Sequence, residues 1–265
     1  MTAAPVTIEV SNLTAAFGER VVLNDVNLTI AEGEILVIMG GSGSGKSTLL
    51  NHLLGLLRPR QGVVKLLGLD INQAKPAEMR ELRLKMGVAF QGGALFSSLS
   101  VADNIMLPLR EHTDLDQSTI DIMARLKLEV VDLAGFGDLM PAELSGGMTK
   151  RAALARAIVM DPKLLFCDEP SAGLDPVVSA AIDDLILRLR DAMRMTIVVV
   201  THDLDSAFKI ADRICVLDHG EIIALGTKDE IRHSVNQRVQ NLLHRRSVDV
   251  TLDPDAYLRR LFGEG

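Results

Sequence analysis

Ile35 to Leu50 reads ILVIMGGSGSGKSTLL, and the fold follows from how this stretch is understood. The apolar run Ile35 to Met39 meets a glycine-rich turn, and the turn meets residues that favour helix, so the local order is strand, loop, helix. Gly40, Gly45, Lys46 and Ser47 satisfy the spacing G-x-x-x-x-G-K-[ST]. Such a loop binds the phosphates of a nucleotide. Its glycines let backbone N–H groups face the anion, the helix N-terminus adds positive potential, Lys46 reaches the β and γ oxygens, and Ser47 ligates Mg²⁺. Gly41, Ser42, Gly43 and Ser44 within the loop and Thr48 just beyond it complete the candidate phosphate-binding set. A chance glycine-rich turn is the bland alternative, and the strand before and helix after it count against that.

Upstream, Val6 to Gly33 alternates and turns like an antiparallel meander, with a turn at Gly18-Glu19, and forms a small β layer ahead of the loop. Phe17, near that turn, is placed either to stack on a base or to fill the core of the layer. Downstream, Ser47 to Leu57 continues as helix until Arg58-Pro59 ends it. Gln61 to Leu69 reads as a hairpin, Lys75 to Leu84 as a short exposed helix, and Met86 to Phe90 as a further strand that ends at Gln91. From Gly92 to about Leu144 helical periodicity replaces strand runs, which marks a helical insertion. Strands resume at Leu164 to Cys167, Thr196 to Val200 and Ile214 to Leu217, separated by helical stretches at Pro176 to Met193 and Asp205 to Ala211. That alternation implies a parallel sheet covered on both faces.

The bulk properties narrow the function classes. A chain of 265 residues with 48% hydrophobic and 24% charged residues reads as an ordinary globular protein, and with 3% aromatics its core must be aliphatic. A net charge of −7 opposes a protein whose main business is coating nucleic acid. Cys167 and Cys215 sit in strand-like runs and read as small core residues, which fits a reducing compartment. The first residues have neither the charged nor the apolar region of a signal peptide, and no run approaches the roughly eighteen apolar residues of a membrane span. Work at a membrane would therefore depend on another chain.

Two more runs carry chemistry. In LLFCDE, Leu164 to Glu169, an apolar strand ends in two carboxylates. This places Asp168 to hold a Mg²⁺ shell and Glu169 to polarise an attacking water, roles that phosphoryl transfer requires beside a phosphate loop. In LSGGM, Leu144 to Met148, Ser145, Gly146 and Gly147 form a second anion nest opening a helix from about Thr149 to Met160. It has no lysine of its own. Two phosphate cradles, only one of them complete, suggest that the second serves a nucleotide held by another copy.

Together these motifs resemble an ATP-binding cassette ATPase, the nucleotide-binding subunit of an ABC transporter, over essentially all of Val6 to Ile231. The resemblance implies a P-loop NTPase (RecA-like) α/β core over residues 6–246, with an antiparallel β layer and an inserted helical subdomain at about 92–160. It also implies ATP and Mg²⁺ as cofactors and ATP hydrolysis as the activity. Phe17 stands as the adenine-stacking aromatic, Gln91 as the lid-loop glutamine that reaches Mg²⁺ and the attacking water, and Glu169 as the catalytic base. Asp175 in SAGLD stands as the D-loop residue and His202 in VVVTHD as the γ-phosphate contact, whereas His202 alone would read as a strand-end structural residue. Ser145 and Gly147 are implied to grip the γ-phosphate of the opposite subunit in a head-to-tail dimer.

Met148 departs from the usual signature, which has glutamine there. With Gln91 to Thr113 and the run from LSGGM to SAGLDP, it makes the chain similar to the ATPases of the Mla phospholipid-transport systems of Gram-negative bacteria. That resemblance implies an integral membrane permease, a periplasmic lipid-binding anchor, a small cytoplasmic accessory protein, and a peripheral place on the cytoplasmic face of the inner membrane. Ala94 to Leu109 is expected to floor the groove for a permease helix, or to supply the core of the helical lobe. Residues 247–265 form an extension in which Asp253-Pro254 starts a helix with Tyr257, Leu258, Leu261 and Phe262 on one face. That face is open to covering by its own domain, a second copy or an accessory protein. An importer of another solute, a soluble ABC-type ATPase and a nucleotide-sensing module are the competing readings; intact Lys46, Asp168, Glu169 and His202 oppose the last.

Overall fold

A computed structural model describes residues 5–245, so the extension expected at 247–265 lies outside the described residues. The chain opens with the long hairpin β1 (Val6–Phe17) and β2 (Arg20–Ala31), followed by β3 (Ile35–Met39), the phosphate loop and α1 (Lys46–Leu53). Next come β4 (Gln61–Leu66), β5 (Leu69–Asp70), α2 (Pro76–Leu84) and β6 (Met86–Ala89). The helical lobe contains α3 (Val101–His112), α4 (Gln117–Val130) and α5 (Gly146–Ala157). The chain then alternates through β7 (Leu164–Asp168), α6 (Pro176–Met193), β8 (Thr196–Val200), α7 (Leu204–Ile210) and β9 (Arg213–Asp218). It finishes with β10 (Glu221–Thr227), α8 (Lys228–Arg232) and α9 (Gln237–Leu243).

Two sheets result. One has the order β2-β1-β4-β5, with antiparallel pairings throughout. The other has the order β10-β9-β3-β8-β7-β6, parallel except for the antiparallel edge strand β10. Because side chains alternate across a strand, β3 sends Ile35, Val37 and Met39 to one face of the parallel sheet and Leu36 and Ile38 to the other. The first face packs on α6 and the helical lobe; the second packs on α1 and the antiparallel layer. The molecule is thus layered around one continuous-run strand set, as aliphatic strands buried on both faces require. Phe166 is the largest fully buried side chain, so the core is aliphatic around very few rings.

Several boundaries differ from the sequence expectation. Helix α1 stops at Leu53, well before Pro59, because Gly55 takes φ +65°, a left-handed turn that ends a helix without proline. Helix α5 begins at Gly146, since Ser145 caps it by accepting a hydrogen bond from the Met148 N–H at 3.3 Å. In the stretch 94–109, Val101, Ile105, Met106 and Leu109 are buried in the lobe, while Phe96 is exposed. A concavity of about 460 Å³ lies at the far end of α3, lined by Arg80, Arg83, Pro108, His112, Arg156 and Met160 among others. Cys167 and Cys215 are free and fully buried, as expected.

Candidate functional site

In the parallel sheet Val200 of β8 pairs with Ile38 of β3 on one side and with Asp168 of β7 on the other. The ends of these three strands therefore deliver the phosphate loop, the carboxylate pair and the His202 segment side by side. Ligands of open α/β sheets bind at this carboxyl edge.

The phosphate loop is held by close backbone approach. A Cβ on Gly40 would lie 2.1 Å from the Leu217 carbonyl oxygen, and one on Gly45, at φ +107°, would lie 2.8 Å from Leu23 Cδ2. Gly45 hands the chain into α1, whose first N–H groups face the loop. The Lys46 ammonium donates to the Gly40 and Gly41 carbonyls at 2.8 Å each. Its burial lowers its pKa, while the nearby Glu169 and Asp168 pull it back up. Phe17, Arg20 and Val22 form one wall and Gly43 to Thr48 the other of a cavity of about 290 Å³. Phe17 is 57% exposed, so the edge of the strand layer, not its core, is where it lies. The buried Ser44 hydroxyl has no hydrogen-bond partner among the described residues, leaving an unmet polar group inside a loop built to face an anion.

Across the site, Glu169 adopts φ +47°, a left-handed backbone conformation. Such a conformation costs a non-glycine residue on the order of 1–3 kcal/mol. Its N–H donates to the Val200 carbonyl at 2.8 Å, its Oε2 accepts from Thr201 Oγ at 3.2 Å, and its Oε1 lies 2.7 Å from His202 Nδ1. Toward a carboxylate, which can only accept, the donor across this contact is the Nδ1–H tautomer of the imidazole. The Glu169 side chain is nearly enclosed whereas that of His202 is 69% exposed. Burial raises the pKa of Asp168 and the adjacent Glu169 raises it further, against Lys150 and Lys46. Among the described residues no three His, Cys, Asp or Glu side chains converge as a metal cage. A hydroxyl, one carboxylate and nucleotide phosphates suit Mg²⁺, which keeps several waters and needs few protein ligands.

The second cradle stands apart from the first. Ser145 caps α5, and Cβ atoms on Gly146 and Gly147 would lie 3.1 Å from Leu174 Cδ2 and 2.6 Å from Val178 Cγ1. Asp175 caps α6 by accepting from the Val177 and Val178 N–H groups at 3.0 and 3.1 Å. Residues 145–147 and 175 thus share one surface, and none of them lines the cavity of the phosphate loop. Met148 is half-buried against the helical-face core, which accounts for an apolar residue at that place in the signature. Beside this surface lies a larger cavity, about 680 Å³, lined by Leu174, Ser179, Asp183, His202, Asp203 and Arg245 among others.

Two contributors escape a reading of the sequence. Thr201 supports the Glu169 carboxylate, and Lys150 donates to the carbonyls of both Gln91 and Glu169. Gln91 itself is exposed at the start of the loop after β6. Nothing in the local sequence marks Lys150, because its partners come from distant segments.

Comparison with known proteins agrees with this geometry. The family model for ABC transporters matches residues 23–172. The intermembrane phospholipid transport system ATP-binding protein MlaF of Haemophilus influenzae is 43% identical over 96% of this chain and 98% of its own. The protein of the same description from Escherichia coli K12 is 38% identical over 89% and 88%. A Mycobacterium tuberculosis protein described as a "probable ribonucleotide transport ATP-binding protein" is 42% identical over 92% of this chain and 68% of its own. Among solved structures, a dimeric post-hydrolysis ATP-binding cassette with ADP and Pi superposes with a TM-score of 0.76 at 33% identity, covering 83% of this chain and 98% of that one. The chain therefore belongs to the ABC transporter family and is one of its ATP-hydrolysing cassettes.

Proposed function

We propose that this cassette drives phospholipid transport between the two membranes of a Gram-negative cell, working as a head-to-tail pair on the cytoplasmic face of the inner membrane. One relative with that description matches nearly end to end, whereas the mycobacterial relative extends well beyond this chain. The partners are a second copy, integral permease subunits, a periplasmic lipid-binding anchor and a small accessory protein, with no nucleic acid. The observation that carries the paired arrangement is the incomplete second cradle: Ser145 to Gly147 lie with Asp175 and contribute nothing to the phosphate cavity of their own chain.

In this reading Phe17 stacks on adenine, Gly40 to Thr48 hold the phosphates, and Lys46 leaves the loop carbonyls for the β and γ oxygens. Ser47, Asp168 and Gln91 would hold Mg²⁺, which when bound would neutralise charge on the phosphates. Glu169 accepts the proton of the attacking water, and Gln91 orients that water. His202 keeps Glu169 in place through Nδ1 and faces the γ-phosphate with its exposed side. Ser145 and Gly147 bridge to the partner's γ-phosphate, so ATP favours the closed pair by its difference in affinity for the two states, and hydrolysis removes that difference.

The test is Glu169→Gln in the full chain. It is expected to retain ATP, to lose hydrolysis, and to accumulate a dimer by light scattering. Hydrolysis at the parental rate would remove Glu169 from this role, and a variant that holds ATP yet stays monomeric would defeat the paired site. Identifying the proteins and lipids that accompany the chain from membranes tests the substrate.

A further inference from the structure

We propose that Lys150 is a positioning residue for hydrolysis, locking the loop at Gln91 to the backbone of Glu169 so that both move with the helix that carries Ser145. The inference rests on the roles of Glu169 and Gln91 given above.

Lys150 lies on α5 a little over one helical turn after its cap, Ser145. Its side chain is turned inward and only 9% of the residue is exposed. The ammonium donates to the Gln91 carbonyl and, at 3.0 Å, to the Glu169 carbonyl. A buried ammonium is costly unless hydrogen-bonded and near opposite charge. Desolvation does lower its pKa, and Glu169 and Asp168 are the charges that sustain the protonated form.

The same helix grips the loop again. Arg156 donates from Nη1 to the Ala94 carbonyl at 2.8 Å and from Nη2 to the Gly93 carbonyl at 3.0 Å. Gly93, at φ +76°, runs so close to α5 that a Cβ there would sit 2.9 Å from Thr149 Cγ2. Residues 91–94 therefore hang by three carbonyls from two cations of one helix. Of these links, the Lys150 ammonium alone also reaches the carboxylate strand.

The consequence is mechanical. The exposed N-terminus of α5 is the part that meets the partner's nucleotide, and its buried middle holds the water-positioning loop and the base of its own site. Any displacement of Ser145 and Gly147 on meeting the partner's nucleotide is carried along one rigid helix to Gln91 and Glu169. Each site is thereby informed of the occupancy of the other.

The test compares Lys150→Met and Lys150→Arg in the full chain, reading kcat, KM for ATP and the melting midpoint. Misplacing a catalytic group by about an ångström costs roughly 10 to 100-fold in rate. Lys150→Met is therefore expected to lose about tenfold or more in kcat with KM changed less than about threefold, and Lys150→Arg to recover most of the loss. If the methionine variant does not fold, Lys150→Gln, which keeps a donor but no charge, carries the same expectation. Parental kcat in the neutral variants would overturn the proposal. So would a parallel fall in kcat, ATP affinity and melting midpoint that arginine fails to rescue. Failure of the underlying reading is separate, since it appears in Glu169→Gln with Lys150 intact.

Discussion

His202 Nδ1 lies 2.7 Å from Glu169 Oε1, joining a residue that follows β8 to the residue after β7. With Thr201 on the other oxygen, the carboxylate is held at both ends although its backbone is in a left-handed turn. Removing the imidazole leaves Glu169 supported on one side only and takes away the group proposed to face the phosphate. His202→Ala is expected to lower kcat by about 100-fold or more, within the range for a positioned acid–base group, with a much smaller change in ATP affinity. Steady-state kinetics beside equilibrium nucleotide binding measure the split.

Gly40 tolerates no side chain, because a Cβ would stand 2.1 Å from a backbone oxygen of Leu217 in β9. Main chain cannot swing aside as a flexible side chain does. Gly40→Ala should therefore shift the loop and cost about 1–3 kcal/mol, read as a lower melting midpoint together with at least about tenfold weaker ATP binding. Binding and stability equal to the parent would contradict the packing described.

Asp183 is buried in α6 and accepts a hydrogen bond from Ser206 Oγ at 2.5 Å, tying α6 to α7. Burial raises its carboxyl pKa above the ordinary 3.8, partly offset by the Ser206 bond. A carboxyl with a raised native pKa binds its proton more tightly when folded. Its ionisation therefore costs stability above that native value, and the cost is relieved as pH falls toward 3.8. Asp183→Asn keeps an acceptor for Ser206 without the charge. It should be no less stable at neutral pH, to within about 1 kcal/mol, and should lose the parent's gain on acidification through this window. Melting curves across that range decide it.

Cys167 and Cys215 are fully buried, and burial pushes each thiol up to about 12. The thiolate is the reactive species, so neither should react with a maleimide or disulfide reagent in the native chain at about pH 8. Both should react on denaturation. Rapid labelling of the folded protein would mean that β7 or β9 opens readily.

The strands that build the site are legible because they are short runs of Ile, Val and Leu buried on both faces, and such runs leave few alternatives. Helix α6, Pro176–Met193, is also readable end to end, with Asp175 as cap and proline at the first turn. Where structure and sequence part, a single backbone feature intervenes. Gly55 ends α1 before the proline that looks like its stop, and the cap at Ser145 starts α5 earlier than the sequence suggests. The edge strand β10, with its mixed run EIIALGT, carries no clear period and is not announced by the sequence. Lys150 is invisible for a different reason. It serves carbonyls 59 and 19 residues away, and a carbonyl leaves no trace in residue identity.

The left-handed turn at Glu169 sets robustness against chemistry at one position. Glycine would relax that turn at no steric cost, yet it would delete the carboxylate. With Glu169 in its proposed role, a laboratory selection for heat tolerance alone would favour inactive descendants at this codon, and a screen meant to harden the ATPase must score turnover alongside survival.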